Sequence, residues 1–237
     1  FHGTYNFKSN IKKFYNSIML RAKLTIAGSN FIFSHINENY GEYLSKEKKL
    51  RVIFRGINVD YFNPKNISVL KQEKLKQEWD LSSNKFTILL PGRLTHWKGQ
   101  EKFIESLNIL IEDYNVINFQ AVILGSDQGR KVYSKKLINL VQRYRLNKKI
   151  KFIQHCKEMP LAYSLSDVVV SASTEPEAFG RISVEAQSMG KPIIASNIGG
   201  SKETVINKKT GLLYKHDDPR ELAKSLNAVI QLSPDEL

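Results

Sequence analysis

Short apolar runs recur along the chain and alternate with segments whose apolar positions follow a helical period. Apolar runs spaced by amphipathic segments are typical of strands buried on both faces of a parallel sheet. The predicted strands are 86–90, 119–124, 150–153, 168–172 and 193–195, and the main predicted helices are near 100–113, 131–144, 180–189 and 219–231. This order predicts an α/β fold with a Rossmann-like, doubly wound parallel sheet, which places ligands beyond the carboxyl ends of its strands.

The beginning of the chain has a pattern of its own. Residues 9–22 predict an amphipathic helix, 24–27 a short strand, and Ser29 the cap of a further helix. A strand predicted at 50–54 leads into the main alternation. We therefore place a domain boundary just before it, with a partial first domain at 1–49 and a second domain at 50–237.

Composition agrees with a folded chain that is long for one domain and short for two full domains. The 237 residues are 41% hydrophobic, too many for a disordered chain, and no stretch approaches the roughly 20 apolar residues of a membrane span. The single cysteine, Cys156, has no internal disulfide partner, so it is expected to be a small buried hydrophobe in a protein of the reducing cytoplasm.

Charge is the more informative part of the composition. The formal net charge is +13, residues 128–157 contain ten basic side chains and no acidic one, and residues 1–37 contain no acid. A surface with this positive charge is suited to bind the phosphates of nucleic acid, anionic lipid or a phosphorylated substrate. A lysine-rich surface that is only solvated is the plainer explanation. The basic, amphipathic segment 8–23 fits peripheral membrane binding, and packing within the first domain is the alternative.

The loop after the strand at 86–90 carries two cations between two glycines. Gly92 and Gly99 permit tight turns and a close approach of the backbone to a ligand. Arg93 offers a planar fork of donors and Lys98 a point charge, which together suit a diphosphate. A surface loop with incidental charges is the competing interpretation.

A second candidate segment follows another predicted strand and opens a helix. Backbone N–H groups at Gly180, Arg181 and Ile182 are expected to face a ligand there, because a helix N-terminus favours an anion. Glu177 lies just before this helix and Glu185 lies in its second turn. Glutamates at this spacing are weak evidence alone, since exposed helices are rich in Glu.

Other chemistry is less well supported. His96 and Trp97 lie between the two cations, where Trp97 is expected to pack and His96 to be exposed. No Cys/His cluster has metal-ligand spacing and no Ser-His-Asp arrangement is visible, so we expect no metal and no cofactor.

Taken together, these segments resemble glycosyltransferase family 4, within the group 1 glycosyltransferases. Pro-Glu-Ala-Phe-Gly-Arg-Ile-Ser-Val-Glu-Ala at 176–186, with Gly-Lys-Pro-Ile-Ile-Ala at 190–195 and Gly-Gly at 199–200, looks like the family's Glu-x7-Glu signature. Gly-Arg at 92–93 with Lys-Gly at 98–99 resembles its diphosphate loop. Residues 55–62, Arg-Gly-Ile-Asn-Val-Asp-Tyr-Phe, resemble the motif at the start of its second domain, although Arg55 stands where Asn is commoner.

The resemblance implies a GT-B enzyme with two Rossmann-like domains around a cleft, which is independent of metal and retains the anomeric configuration. It implies that Arg93 and Lys98, beside Gly92, hold the donor diphosphate and stabilise the leaving nucleoside diphosphate. The backbone at Arg181 and Ile182 would do the same from the helix end.

The resemblance also implies roles around the sugar. Glu185 would accept hydrogen bonds from the ribose hydroxyls, and Glu177, with the amides of Phe179 and Gly180, would hold the donor sugar as part of the catalytic centre. His2, in Phe-His-Gly-Thr, matches an acceptor-side histidine near the reacting centre. The implied partners are a nucleoside-diphosphate sugar and a glycan or lipid-linked acceptor of cell-envelope or lipopolysaccharide synthesis. The expected location is the cytoplasm, and the basic surface adds the option of peripheral binding to the inner face of the plasma membrane.

The sequence is compatible with more than one reaction route and with two rival functions. Retention could proceed through a carboxylate nucleophile, as in glycosidases, or, as the resemblance implies, through same-face attack assisted by the departing phosphate. A nucleotide-sugar epimerase of the same fold is one rival function. A nucleic-acid-binding protein that uses residues 128–157 is another, although aromatic residues are sparse there.

The resemblance covers essentially the whole chain, but the chain corresponds to only part of a two-domain enzyme of this family. It begins Phe-His-Gly without Met, and residues 1–49 have no room for a complete Rossmann-like half. We therefore expect a cut within a longer protein, and a chain that binds donor nucleotide without transferring sugar.

Overall fold

The computed structural model describes residues 1, 3–5, 9–44 and 49–232. These residues form a two-stranded parallel sheet near the start of the chain and a six-stranded parallel sheet in the remainder. The fold is therefore α/β, as the alternating pattern predicts.

The strands of the large sheet are β3 Phe86–Pro91, β4 Phe119–Leu124, β5 Ile150–Ile153, β6 Val168–Ser171, β7 Ile193–Ser196 and β8 Leu212–Tyr214. Their order across the sheet is β5-β4-β3-β6-β7-β8. Every residue of β4, β6 and β7 is buried, because helices cover both faces of the sheet.

Two helical layers enclose this sheet. The helices are α3 Val69–Glu78, α4 Gln100–Glu112, α5 Lys131–Arg143, α6 Met159–Ser164, α7 Arg181–Ser188, α8 Ser201–Thr204 and α9 Pro219–Ile230. One core joins the sheet to α4, α5 and α9, through residues such as Phe103, Leu137 and Leu226. The core on the opposite face contains Tyr163 of α6 and Ala186 of α7.

The direction of winding reverses between β3 and β6. The chain runs outward from β3 through β4 to β5, and then returns to place β6 on the other side of β3. The loops that follow β3 and β6 therefore lie side by side, and the Thr174 N–H donates to the Trp97 carbonyl at 2.8 Å. Such a reversal opens a crevice at the carboxyl ends of the strands.

The small sheet pairs β1 Leu24–Ala27 with β2 Lys49–Val52. Helices α1 Asn10–Ser17 and α2 Asn30–Tyr40 belong to the same part of the chain. Its own core is made by Leu20, Ala27, Ile32, Ile36 and Tyr40.

This pairing corrects one assignment from the sequence. The strand predicted at 50–54 was placed with the second domain, but β2 hydrogen-bonds to β1 and not to the large sheet. The chain therefore leaves the small sheet after Val52, and the predicted boundary at 49/50 falls inside a strand. Strand β2 has four residues, and only every second one is partly buried, so its sequence does not indicate which sheet it joins.

Helix α1 does not bury the apolar face that its sequence shows. Ile11, Phe14 and Tyr15 are 83%, 52% and 72% exposed. The side chains of α1 that are buried are instead polar, Asn16 and Ser17. Of the two alternatives for this segment, packing of its apolar face within the first domain is not seen among the described residues. None of the helices that the structure describes combines the length and the hydropathy needed to cross a bilayer.

Candidate functional site

The loop after β3 is shaped by two glycines with positive φ. Gly92 has φ +149° and Gly99 has φ +71°, and a Cβ on Gly99 would lie 1.8 Å from the Ala172 carbonyl oxygen. Gly99 therefore lets the β3 loop lie directly against the end of β6. Between the glycines, Arg93 is exposed and Lys98 is largely buried.

Gln100 supports this loop from beneath. Its fully buried side chain donates to the Arg93 carbonyl at 2.9 Å and accepts from the Tyr133 hydroxyl at 3.2 Å. His96 is exposed, as expected, and its ring packs edge-on against Tyr133, with the ring centroids 5.6 Å apart. These contacts fix the path of the backbone that carries Arg93 and Lys98.

Lys98 forms an ion pair with Glu177, from the loop after β6. The Nζ–Oε1 distance is 2.8 Å, and the side chains are only 12% and 13% exposed. The Ser173 hydroxyl also donates to Glu177 Oε1. The Lys98 ammonium lies 4.6 Å from the centroid of the Trp97 ring. An ammonium has three N–H donors, so Lys98 retains donors for a ligand.

The backbone after Glu177 is held against the start of α8. The Gly200 N–H donates to the Glu177 carbonyl at 2.7 Å. A Cβ on Gly200 would lie 2.6 Å from Phe179 Cα, and one on Gly199 would lie 2.7 Å from the Glu177 carbonyl oxygen. Both positions therefore require glycine for backbone to pack on backbone.

Helix α7 begins at Arg181, and its N-cap residue Gly180 has φ +82° and provides no side-chain hydrogen bond. The N–H groups of the first turn of a helix have no partner within the helix, and they attract anions. Arg181 and Ile182 of this turn line the crevice. The start of α7 therefore has the geometry of an anion site.

Glu185 lies on α7 and is 7% exposed. Its carboxylate accepts from Arg181 at 2.7 Å, through Oε1, and from the Tyr163 hydroxyl at 2.8 Å, through Oε2. Burial, followed by the neighbouring Glu185 carboxylate, raises the pKa of Tyr163 well above its usual value, so the phenol stays protonated and donates.

Two cavities adjoin at the carboxyl ends of the strands. One, of about 550 Å³, is lined by both loops and by the first part of the chain, and includes Gly3, Thr4, Arg55, Arg93, Lys98, Glu177, Phe179 and Gly180. The other, of about 940 Å³, includes Ile57, Asn58, Phe62, Met159, Tyr163 and Glu185. Gly92, Arg181 and Ile182 line both cavities.

The two cavities contain nine of the ten residues that the sequence singled out: Gly92, Arg93, Lys98, Glu177, Phe179, Gly180, Arg181, Ile182 and Glu185. The tenth, His2, lies outside the described residues. Sequence reasoning missed Tyr163 and Ser173, whose side chains hold the two glutamates. Both occur in short segments without a motif, and only tertiary structure brings them to Glu185 and Glu177.

The basic segment 128–157 is partly neutralised. Lys131, Lys136 and Lys151 pair with Asp127, Glu101 and Asp80, all acids outside the segment. In the part of the chain that the structure describes, no group of three or more His, Cys, Asp or Glu side chains is arranged to hold a metal.

Residues 71–236 match the model of the family described as Glycosyl transferases group 1. Spore coat protein SA of Bacillus subtilis is 28% identical over 198 residues, which is 80% of this chain and 51% of that protein. D-inositol 3-phosphate glycosyltransferase of Corynebacterium urealyticum is 26% identical over 216 residues, 90% of this chain and 50% of that enzyme. The chain thus spans about half the length of these curated relatives.

Solved structures agree with this result. A glycosyltransferase from Rickettsia africae is 37% identical, with a TM-score of 0.86 over 97% of this chain and 59% of that one. Anabaena HepE, solved in complex with UDP-glucose, is 28% identical, with a TM-score of 0.83 over 94% of this chain and 58% of that one. The neighbours are GT-B glycosyltransferases, the architecture that the resemblance implied.

Family match, fold and the assembled glutamates and cations lead to one conclusion: the chain belongs to the group 1 glycosyltransferase family.

Proposed function

We propose that the protein to which these residues belong transfers a sugar from a nucleoside diphosphate to an acceptor hydroxyl, with retention and without a metal. The observation that carries this proposal is the Lys98–Glu177 pair at the meeting point of the two strand-end loops, beside the uncapped start of α7. HepE, with the same fold, binds UDP-glucose in its solved structure. A uridine nucleotide is therefore the first donor to test.

In this proposal the nucleoside occupies the larger cavity. Glu185 accepts from the ribose hydroxyls, because each carboxylate oxygen can accept a further hydrogen bond beyond those from Arg181 and Tyr163. The diphosphate lies over Gly92, between Arg93, Lys98 and the first turn of α7. The donor sugar then occupies the smaller cavity, next to Glu177.

Charge stabilisation is the main chemical task of this arrangement. Departure of a nucleoside diphosphate leaves negative charge on phosphate oxygens and positive character on the sugar. Arg93, Lys98 and the N-terminus of α7 stabilise the negative charge on the phosphate oxygens without a metal. The Glu177 carboxylate, which is paired with Lys98, stabilises the positive character on the sugar.

We favour same-face attack over a glutamate nucleophile. Glu177 Oε1 is engaged by both Lys98 and Ser173, and a carboxylate oxygen held by two donors is a poorer nucleophile. Glu177 is thus proposed to orient the sugar and stabilise its charge. A glycan or lipid-linked acceptor of the cell envelope is proposed, and the Bacillus spore coat relative and the Staphylococcus aureus capsular glycosyltransferase support that setting.

The test begins with a thermal-shift panel of UDP, GDP, ADP and their common sugars, since binding to the folded state raises its apparent stability. A rise in Tm with one nucleoside diphosphate and its sugar, and none with duplex DNA, supports the proposal. Product analysis with that donor and the longer protein to which these residues belong then separates transfer from epimerisation. A chain that binds no nucleotide sugar, or that binds duplex DNA alone, would overturn the proposed function.

A further inference from the structure

The donor-sugar loop, residues 177–180, makes contacts with the first part of the chain as well as with the large domain. Ala178 packs against the core of the small sheet. The fully buried Ser29 hydroxyl donates to the Ala178 carbonyl at 2.5 Å. These contacts join residues 149 positions apart in the sequence.

Ser29 is also the N-cap of α2, where its Oγ accepts from the Ile32 N–H at 3.1 Å. Two further N–H groups at this helix end are satisfied by a residue that follows the loop after β7. Glu203 of α8 accepts from the Asn30 N–H at 2.8 Å and from the Phe31 N–H at 2.6 Å, with one carboxylate oxygen for each. A carboxylate at the positive end of a helix dipole is a favourable cap.

Helix α8 in turn is fixed to the donor-sugar loop. It begins directly after Gly200, which donates to the Glu177 carbonyl and lies against Phe179 with no space for a side chain. The N-terminus of α2 therefore reaches the loop by two routes, directly through Ser29 and indirectly through Glu203 and α8.

We propose that Ser29 and Glu203 are positioning residues, which hold residues 177–180 in the conformation that binds the donor sugar. This inference rests on the proposed function, since it assigns the sugar to that loop. Neither residue lines either cavity. Ser29 fixes Ala178 directly, and Glu203 fixes Gly200 through α8. The position of α2 against the loop therefore determines the positions of Glu177 and of the Phe179 and Gly180 amides.

The experiment compares Glu203→Ala and Ser29→Ala with Asp218→Ala in this chain. Asp218 is a matched control, because its carboxylate accepts from the Arg220 and Glu221 N–H groups at the start of α9 and lines neither cavity. All three variants remove a helix cap. Only the first two are predicted to affect the donor-sugar loop.

Two readouts separate positioning from simple loss of stability. Without nucleotide, amide hydrogen exchange at residues 177–180 is expected to accelerate in Glu203→Ala and Ser29→Ala, and to stay unchanged in Asp218→Ala. In calorimetry, the ratio of UDP-glucose affinity to UDP affinity is expected to fall on the order of fivefold, the effect of losing a typical N-cap contact, while UDP affinity itself is retained.

Acceleration confined to α2, with the loop and the affinity ratio unchanged, would show that Glu203 is only a cap and would overturn the inference. Failure of the wild type to bind any nucleotide sugar would instead count against the proposed function, and the exchange of residues 177–180 would still decide the coupling. If Glu203→Ala does not fold, Glu203→Gln, which keeps one acceptor oxygen, is expected to show the same changes at smaller amplitude.

Discussion

Lys98 and Glu177 are 79 residues apart in the sequence, and the structure joins them in an ion pair with an Nζ–Oε1 distance of 2.8 Å. Both side chains are largely buried. Removing one partner of a buried ion pair leaves an uncompensated charge, whereas removing both partners does not. The pair therefore has a structural role that can be separated from its proposed role toward the ligand.

The first prediction concerns this separation. Lys98→Met is expected to lower the free energy of unfolding by about 1–3 kcal/mol, because the Glu177 carboxylate is then largely buried without its cation. Lys98→Met with Glu177→Gln is expected to recover most of that loss. Both variants are expected to bind UDP about 10- to 100-fold more weakly, since a charge-assisted contact to phosphate is lost.

Urea denaturation and calorimetry measure the two effects. Lys102→Met is the control, since it also removes one cation from the chain but lines neither cavity. If the double variant regained UDP affinity together with stability, Lys98 would have no direct contact with the diphosphate.

The second prediction tests Glu185 against the ribose. Wild-type chain is expected to bind 2′,3′-dideoxy-UDP about 10-fold or more weakly than UDP, because the carboxylate is then left without its ribose partner. Glu185→Gln is expected to bind the two ligands with similar affinity. Glu112→Gln, which changes a glutamate outside both cavities, is expected to behave as wild type. An undiminished preference for UDP in Glu185→Gln would assign the ribose to another residue.

The sequence predicts most of the large sheet because its strands are buried on both faces. The predicted strands 119–124 and 150–153 coincide with β4 and β5. Helix α3 and strand β8 were not predicted. No residue of α3 is buried and β8 has only three residues, so neither has the apolar periodicity that identifies an element.

For the candidate site, the sequence predicted the motif residues but not the side chains that hold them in place. Glycines, cations and glutamates could be recognised from motifs, and fold topology explains why the loops after β3 and β6 meet. Partners such as Tyr163 for Glu185, or Glu203 for the start of α2, could not be predicted. They depend on the rotation of a helix and on how two parts of the chain pack, and neither follows from local patterning.

The third prediction concerns alkaline pH. Burial raises the pKa of Tyr133, Tyr163 and Tyr214 above the usual value of 10.0, so above about pH 10 the unfolded chain releases protons that the folded chain keeps. Stability is therefore expected to be unaffected by these groups below pH 10 and to fall above it, by up to about 1.4 kcal/mol per pH unit for each tyrosine.

Tyr163→Phe isolates one of these contributions. This variant is expected to be less stable by about 1 kcal/mol at pH 8, since Glu185 loses a hydrogen bond, but to show a shallower decline between pH 10 and 11. Urea denaturation at each pH provides the measurement. Tyr15→Phe, at a position that is 72% exposed, is expected to follow the wild type. Parallel pH curves for Tyr163→Phe and wild type would contradict this account.

The fourth prediction separates backbone strain from collision at the β3 loop. Gly190 and Gly99 have similar positive φ angles, +65° and +71°, but a Cβ meets nothing within 4 Å at Gly190 and lies 1.8 Å from a carbonyl oxygen at Gly99. Gly190→Ala is expected to cost about 1–2 kcal/mol from φ alone. Gly99→Ala is expected to cost clearly more, because the end of β6 must also move.

Thermal unfolding of the two variants, with UDP titration of each, measures this difference. Gly99→Ala is expected to lose UDP affinity, and Gly190→Ala to keep it. Equal losses of stability in the two variants would show that the β3 loop relaxes away from Ala172 without strain.

The meeting of the two cavities at Gly92 has a consequence for inhibitor chemistry. Gly92, Arg181 and Ile182 line both cavities, so the compartment of Glu185 and the compartment of Glu177 share one wall. Two weak fragments, one chosen for each compartment, can be joined by a short bridge over Gly92, and the second fragment then binds at millimolar effective concentration. Comparing an uncharged bridge with an anionic one then measures how much of the affinity depends on negative charge near Arg93 and Lys98.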